Sequence, residues 1–313
     1  MNLNKRKILL AVDGSNQSLE AVRYASQLLP SQRREIVLFH VFSNVPEFFY
    51  DMAEERQFRQ DLATVIGSEI QLRESINQFM TEARQILVDA GFIPEAITID
   101  IHEKESGIAR DIVVESVKGY DAVMAGRNGI NKINDMVIGS VANKLIEKLF
   151  HVSVCVVGGK PLPRKVLLGL DDSENAMRAV DYVGNLLGGS SHEVTLCHVL
   201  RSFSALEPRF GRMANLMLEK KWLEEGKLVA RSVFEEATTR LTNAGFEPKQ
   251  VTTKQISGAD SRASAIIQEA KEGGCGTIVL GRRGASKVDD FSMGRVGNKV
   301  IQMATEQAVW VVS

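Results

Sequence analysis

The sequence Gly126-Arg127-Asn128-Gly129, followed after nine residues by Gly139-Ser140, occurs twice in this chain. Its second copy reads Gly281-Arg282-Arg283-Gly284, with Gly294-Arg295 again nine residues later. Over 126–146 and 281–301, 10 of 21 positions are identical. We call Gly126, Gly129 and Gly139 the first glycine frame, and Gly281, Gly284 and Gly294 the second. A motif repeated at this distance indicates an internal duplication.

Other segments repeat in the same order. The stretch Lys7–Ser15 resembles Lys165–Ser173, and Ala90–Phe92 resembles Ala244–Phe246. A period of this length is far too long for a solenoid and is the size of a domain. We therefore predict two domains, 1–158 and 164–313, joined through the Gly- and Pro-rich segment that begins at Gly158.

Each half alternates predicted strands and helices. The run Ile8–Val12 is continuously apolar and ends in Asp-Gly-Ser, which is typical of a buried parallel strand, and a helix-spaced segment follows it. This alternation predicts an α/β fold of two tandem doubly wound domains, each with a five-stranded parallel sheet. The predicted strands are Ile8–Val12, Glu35–Val41, Ala96–Ile101, Asp121–Ala125 and Val152–Val157, then Val166–Leu170, Glu193–Val199, Gln250–Ile256, Thr277–Leu280 and Ala308–Val312.

The glycine frame is placed where such a fold binds ligands. In open α/β sheets ligands lie beyond the strand carboxyl ends, where the strand order reverses. Asp13 ends the first predicted strand and Gly126 follows the fourth, so neighbouring strands would set their loops across a crevice. Gly139 and Ser140 open a helix, whose unpaired N–H groups and dipole favour an anion. The pattern predicts a phosphate site, although neither GxxxxGK[ST] nor GxGxxG after the first strand is present.

Structural interpretations of the same residues stay open at this stage. A glycine pair after a strand is usually a turn, and Gly-Ser or Asp at a helix start is often a cap. We expect His40 and His198 to be packed strand histidines, and Asp135 and Asp290 to be solvated loop residues. Arg127 and Lys132 are expected to be exposed. We predict no catalytic residues and no metal site of the protein's own.

Composition excludes several classes of protein. A net charge of −1 lacks the basic excess of a nucleic-acid binder, and no apolar run approaches the length of a membrane span. The N-terminal segment lacks the apolar core of a signal peptide. Three scattered cysteines without a CxxC motif suit a reducing compartment, so a cytoplasmic location is expected.

On these residues the chain resembles the universal stress protein family along essentially its whole length, as a tandem pair. Nucleotide-binding members carry G-x2-G-x9-G-[ST], and the first half matches at Gly126, Gly129, Gly139 and Ser140. The resemblance implies that Asp13 and Val41 contact adenine, while the glycine frame and Ser140 hold ribose and phosphates. It implies ATP as the ligand, with Mg²⁺ left open.

The second half departs from this pattern. Asp171, Val199 and the second glycine frame are kept, but Arg295 replaces Ser140 and Asp172 replaces Gly14. We expect this altered site not to hold ATP in the same way. An Arg295–Asp172 ion pair that closes the pocket is favoured. In the alternative, Arg295 turns outward and the pocket takes another anion, helped by Arg282 or Arg283.

The preferred functional hypothesis is a regulatory or sensing protein that binds ATP in its first half and is read by an unidentified protein partner. The alternatives are a slow ATPase or nucleotidyl-transfer enzyme using the same pocket, and a non-nucleotide interaction protein. Neither nucleic acid nor membrane is expected as a partner, and a homo-oligomer of the tandem chain stays open. The strands Val152–Val157 and Ala308–Val312 are expected to meet as an internal pseudo-dimer.

Overall fold

The computed structural model describes residues 6–31, 34–43, 58–129, 138–202, 212–284 and 293–313. Eight helices are numbered along these ranges as α1 (Asn16–Leu28), α2 (Phe58–Asp89), α3 (Ile108–Ser116), α4 (Ser140–Lys148), α5 (Glu174–Leu187), α6 (Arg212–Asn243), α7 (Arg262–Glu272) and α8 (Arg295–Met303). Side chains in α2 are described from residue 70 onward and those in α6 from residue 218 onward.

Ten strands lie between these helices. They are β1 (Arg6–Ala11), β2 (Arg34–Phe42), β3 (Ile97–Glu103), β4 (Ala122–Gly126), β5 (Ser153–Val157), β6 (Lys165–Leu170), β7 (Glu193–Arg201), β8 (Val251–Ala259), β9 (Thr277–Gly281) and β10 (Ala308–Val312). All ten predicted strands are confirmed with ends shifted by a few residues. The predicted order of strands and helices is confirmed as well.

The ten strands form one sheet in the order β3-β2-β1-β4-β5-β10-β9-β6-β7-β8. Strands within each half pair in parallel, which confirms two five-stranded doubly wound units. The halves join where β5 and β10 pair antiparallel, with Cys155 opposite Trp310 and Val154 opposite Val311. The expected internal pseudo-dimer is therefore confirmed, and the whole sheet is mixed.

A buried polar network lies under this junction. The Trp310 Nε1–H donates to the Tyr24 hydroxyl over 2.9 Å, and the same hydroxyl lies 2.9 Å from the Thr277 Oγ1. Tyr24 belongs to α1 of the first half, whereas Trp310 and Thr277 belong to the second. Because buried polar groups are costly unless they are hydrogen-bonded, this network favours the observed packing of the two halves over a displaced one.

The helix starts follow from the repeated Asp-x-Ser sequence. The Ser15 side chain accepts a hydrogen bond from the Ser18 N–H at 3.1 Å, and the Ser173 side chain accepts one from the Ala176 N–H at 3.2 Å. Each serine is therefore the N-cap of the helix that packs on its sheet. These caps end the loops after β1 and β6, which fixes where Asp13 and Asp171 lie.

Candidate functional site

The first pocket lies at the edge of the sheet where the strand order reverses. Strand β1 pairs with β2 on one side and β4 on the other, and Ala11 is level with Ala125. The chain fills the sheet outward from β1 to β3 and then crosses to β4. The loops after β1 and β4 therefore open on the same crevice, as predicted from the sequence.

Asp13 and Gly129 meet across this crevice. The Asp13 carboxylate accepts the Ser15 N–H at 3.0 Å, which turns its other oxygen toward Gly129. A Cβ added at Gly129 would collide with Asp13 Oδ2. Gly14 between Asp13 and Ser15 has a φ of +85°, a conformation that favours glycine. The structure thus brings together two of the predicted site residues.

The other two glycines of the first frame are needed for close backbone approach within the protein. A Cβ at Gly126 would lie 3.1 Å from the Gln17 carbonyl oxygen, so Gly126 lets β4 pack against α1. The Gly139 N–H donates to the Arg127 carbonyl at 2.8 Å, and a Cβ at Gly139 would lie 3.0 Å from that oxygen. This backbone hydrogen bond thus holds the start of α4 beside the end of β4.

The N-terminus of α4 is open at this edge. Its first i→i−4 bond runs from the Asn143 N–H to the Gly139 carbonyl, at 3.0 Å, so the preceding amides have no partner in that ladder. Ser140 is exposed, and none of the described residues accepts a hydrogen bond from its hydroxyl. Three backbone N–H groups and the Ser140 hydroxyl can therefore donate hydrogen bonds to an anion here, and the positive end of the helix dipole also favours an anion.

Val41 and His40 form the neighbouring wall. Ala11 pairs with Phe39, so Val41 lies two residues further along β2, near the level of Asp13, and is buried. The His40 Nδ1–H donates to the Val12 carbonyl at 2.8 Å, because a carbonyl oxygen can only accept. His40 is therefore a packed strand histidine, as expected, and holds the end of β2 against the loop that carries Asp13.

Asp111 organises the loop before α3, and sequence reasoning missed it. Its carboxylate accepts the backbone N–H groups of Ser106 at 2.9 Å, Glu105 at 3.0 Å and Gly107 at 3.4 Å. Burial alone would raise the pKa of this carboxyl, but these hydrogen bonds outweigh burial and hold the pKa below its ordinary value. No familiar capping pattern indicates this role in the sequence, because Asp111 lies four to six residues after the amides that it binds.

Arg127 and Arg282 are buried, which corrects two expectations. Only 3% of Arg127 and 5% of Arg282 is exposed. Arg127 was expected to be exposed and Arg282 was considered as a ligand for an anion. Each guanidinium instead binds backbone carbonyls at the end of a helix in the other half. Their shared place after the first glycine of each frame was the signal that could have indicated a common role.

The second pocket contains a cavity of about 810 Å³ at the carboxyl ends of β6, β7 and β9. Asp171 and Gly284 repeat the contact of Asp13 and Gly129, because a Cβ at Gly284 would lie 2.5 Å from Asp171 Oδ2. Val199 is buried at the wall, as Val41 is in the first half. The site residues kept in this half therefore adopt the same arrangement.

The favoured closure of this pocket by an Arg295–Asp172 pair is wrong. Both side chains are exposed and line the cavity, and among the described residues no ion pair joins them. Asp172 has a negative φ, since only glycines among the described residues have a positive one, so this loop differs in backbone from the loop at Gly14. Arg295 stands at the first position of α8 and is exposed at the edge of the cavity, which stays open.

The cavity has a mixed polar lining. Trp222 of α6 forms part of its wall and donates its Nε1–H to the Arg201 carbonyl at 3.2 Å. His198 is buried beside it, and burial lowers the pKa of its imidazole, which fits the expected packed histidine. Five cationic and four acidic side chains line the space: Arg201, Arg262, Arg283, Arg295 and Lys299, with Asp171, Asp172, Glu225 and Asp260.

Three further expectations concern residues the structure does not describe, namely Lys132, Asp135 and Asp290. In the described part of the chain, no group of three or more His, Cys, Asp or Glu side chains is arranged to hold a metal ion. No described helix combines the length and apolar composition of a membrane span.

Comparison with known proteins gives one consistent result. The model of the universal stress protein family matches residues 5–158 and again 163–313. A universal stress protein of Mycolicibacterium smegmatis is 22% identical over 308 residues, covering 95% of this chain and 94% of that protein. The universal stress protein YxiE of Bacillus subtilis is 27% identical over 143 residues, covering 45% of this chain and 93% of its own length. A crystal structure of a universal stress protein from Archaeoglobus fulgidus aligns with a TM-score of 0.62 at 19% identity, covering 99% of each chain.

Proposed function

Because this chain belongs to the universal stress protein family through both of its halves, we propose that it is an ATP-binding regulatory protein whose first half holds the nucleotide. Its domains are 1–158 and 164–313. Asp13 and Val41 contact adenine, and the first glycine frame with Ser140 holds ribose and phosphates. The proposal is carried by the open N-terminus of α4, where the Ser140 hydroxyl and first-turn amides adjoin the Asp13–Gly129 contact.

The first pocket would bind a triphosphate through hydrogen-bond donors rather than through charged side chains. Backbone N–H groups at a helix N-terminus bind phosphate oxygens without adding flexible cations to the site. Arg127 does not reach into this pocket, because its guanidinium is engaged at the end of α8. Mg²⁺ would enter with the nucleotide, since phosphate oxygens and water supply most of its ligands in nucleotide complexes.

The second pocket is proposed to take an anionic ligand, but not ATP in the manner of the first. Arg283 and Arg295 are exposed cations at its edge. Arg295 stands at a helix N-terminus, where a cation is unfavourable without an anion beside it. Asp172 adds a negative charge at the position where the first half has Gly14, which disfavours the same nucleotide pose.

A binding protein is preferred over an enzyme. Phosphoryl transfer needs a positioned nucleophile and neutralisation of charge in the transition state. For the phosphates, the described part of the first pocket offers Ser140 and backbone amides. The Asp13 carboxylate is assigned to adenine, and His40 is engaged with the Val12 carbonyl. A slow ATPase or nucleotidyl-transfer activity, and a non-nucleotide interaction protein, are the alternatives. Binding of ATP would favour one arrangement of the loops, which a protein partner would recognise.

The three cysteines are free and buried, which fits a reducing compartment, and the cytoplasm is the proposed location.

The small molecule that co-purifies with the protein tests this proposal. The protein would be purified without added nucleotide, denatured, and its released ligands identified by mass spectrometry. Adenine nucleotide is expected at up to one per chain, and the Gly139→Val variant should carry much less. Recovery of only non-nucleotide ligands, or of equal nucleotide from both proteins, would argue for another function.

A further inference from the structure

Arg127, which follows Gly126 of the first glycine frame, binds the end of a helix in the other half. Its Nη1 donates to the carbonyls of Ile301 and Ala304, the second at 3.4 Å, and its Nη2 donates to the Gln302 carbonyl at 2.6 Å. These carbonyls belong to the last turn of α8 and the residue that ends it. The backbone of Arg127 thus lies beside the first pocket, while its side chain binds the C-terminal end of α8, the helix that begins at the second pocket.

Arg282 makes the reciprocal contact. Its Nη1 donates to the Ile146 carbonyl at 2.8 Å and its Nη2 to the Leu149 carbonyl, at the end of α4. Its Nε donates to Ser313 Oγ at 3.1 Å. The C-terminal end of α4, the helix that begins at Ser140 in the first pocket, is therefore bound by the arginine that follows Gly281 of the second glycine frame.

Elementary electrostatics explains why arginine serves here. The last carbonyls of a helix have no partner in the helix, and the dipole favours a cation at that end. A buried guanidinium needs several acceptors, which these carbonyls supply. Burial lowers the pKa of both guanidinium groups, for Arg282 to about 10 with the neighbouring Arg283 contributing. Both arginines still carry their charge at neutral pH.

The backbone of each arginine holds its own frame. The Gly139 N–H donates to the Arg127 carbonyl at 2.8 Å, and the Gly294 N–H donates to the Arg282 carbonyl at 2.9 Å. The contacts form a closed chain. It runs from the start of α4 along that helix to Arg282, across to Gly294 and the start of α8, and along α8 to Arg127 and Gly139.

We propose that Arg127 and Arg282 couple the two pockets, so that a ligand held at the start of α4 also orders the second glycine frame. Arg282 is then a positioning residue for the first pocket, supplied by the other half of the chain. Since binding couplings are reciprocal, an anion in the second pocket changes the affinity of the first by the same factor. The coupling rests on the proposed function only for the identity of its first ligand.

Amide hydrogen exchange followed by NMR tests the coupling with ATP as the probe. In the wild type, ATP is expected to slow exchange at the start of α4 and also at Gly294 and Asn298 in the second half. In Arg282→Met the local effect should remain and the remote effect should be lost. Arg231→Met is the matched control, because Arg231 is exposed and pairs with Glu235 on the same helix at 2.9 Å. Equal remote protection in Arg282→Met and the wild type would overturn the proposal.

A second arm needs no ligand. In the free protein, Arg282→Met should speed exchange of the Gly139 and Asn143 amides by about three- to tenfold, while Arg231→Met should not change it. Arg282→Lys keeps the positive charge but not the planar guanidinium. Its amide exchange rates at Gly139 and Asn143 are expected to lie between those of the wild type and of Arg282→Met. Should ATP protect no amide at all, the proposed function fails, and this arm still decides the coupling. Unchanged exchange at Gly139 and Asn143 in a folded Arg282→Met protein would refute it.

Discussion

Ser140 and Arg295 occupy the same position of the repeat, at the first residue of α4 and α8. The difference between them is the chemical difference between the two pockets. Ser140 adds a small donor to the backbone amides, whereas Arg295 adds an exposed positive charge at the rim. A hydroxyl suits a phosphate held closely by the backbone, and a guanidinium suits an anion held further out.

Replacement of Ser140 by alanine should weaken ATP binding roughly tenfold, the effect of one lost hydrogen bond to a charged acceptor. Steady-state phosphate release should stay below about 1 per second in both proteins, since the pocket binds rather than transforms the nucleotide. Isothermal titration and a phosphate-release assay measure the two quantities. Ser75→Ala is the control, because Ser75 is exposed on α2 and its hydroxyl donates to the Gln71 carbonyl of the same helix. Faster release that disappears in Ser140→Ala would instead identify an ATPase.

At the residue scale, the sequence was informative where neighbours along the chain decide the structure. Ser15 and Ser173 could be recognised as caps because their partners are three residues away. Arg127 could not be placed in this way, because the carbonyls it binds lie about 174 residues further along the chain. The Arg295–Asp172 pair failed for a related reason. Both side chains are exposed to water, where an ion pair gains little free energy, so opposite charges at one site need not meet.

Among the elements, helix α3 depends on the loop that precedes it. The Asp111 carboxylate accepts hydrogen bonds from three backbone N–H groups of that loop, which holds the loop against the first turn of the helix. Strands and helices were predictable because apolar runs and helical spacing are local patterns.

Asp111→Asn should destabilise the protein by about 1–3 kcal/mol at neutral pH, because an amide cannot accept all three N–H groups. The folded carboxyl has a lowered pKa, so its contribution is present above the ordinary aspartate pKa of about 4 and is lost as the pH falls through the lowered value. The difference in free energy of unfolding between the two proteins should therefore shrink in acid. Denaturant unfolding between pH 7 and pH 3 measures it.

Asp89→Asn is the matched control for that series, since Asp89 is an exposed carboxylate at the end of α2 that accepts a hydrogen bond from Gln85 at 2.7 Å. It should change stability by less than about 0.5 kcal/mol. A gap between the wild type and Asp111→Asn that stays constant down to pH 3 would show that the charge of Asp111 is not what holds the loop.

At the scale of the whole molecule, the two halves share one sheet and one buried network. The antiparallel contact of β5 with β10 was predictable because both strands are apolar, except for Ser153, and lie at the equivalent ends of the repeat. The hydrogen bonds among Tyr24, Thr277 and Trp310 were not, since nothing local indicates a partner in the other half. Burial raises the pKa of Tyr24 well above its ordinary value, so its hydroxyl stays protonated.

Tyr24→Phe should lower the free energy of unfolding by about 1–3 kcal/mol, because Trp310 Nε1 and Thr277 Oγ1 lose a partner in a dry interior. Scanning calorimetry should show one cooperative unfolding transition in the wild type. In the variant that single transition should shift to a lower temperature. Tyr120→Phe is a useful contrast, since the Tyr120 hydroxyl bonds to Glu115 within the first half, at 2.7 Å. Two separate transitions, of which only one responds to Tyr24→Phe, would show that the halves unfold independently.

The central claim is that one ATP binds per chain, in the first pocket. Titration calorimetry of the wild type, Gly139→Val and Gly294→Val tests it most directly, because the two glycines are equivalent in the repeat and a Cβ would meet Arg127 O at 3.0 Å and Arg282 O at 3.5 Å. We predict one ATP per chain for the wild type, a strong loss of affinity in Gly139→Val, and one ATP still bound in Gly294→Val. Unchanged affinity in a folded Gly139→Val protein, or two equivalent sites per wild-type chain, would contradict the account.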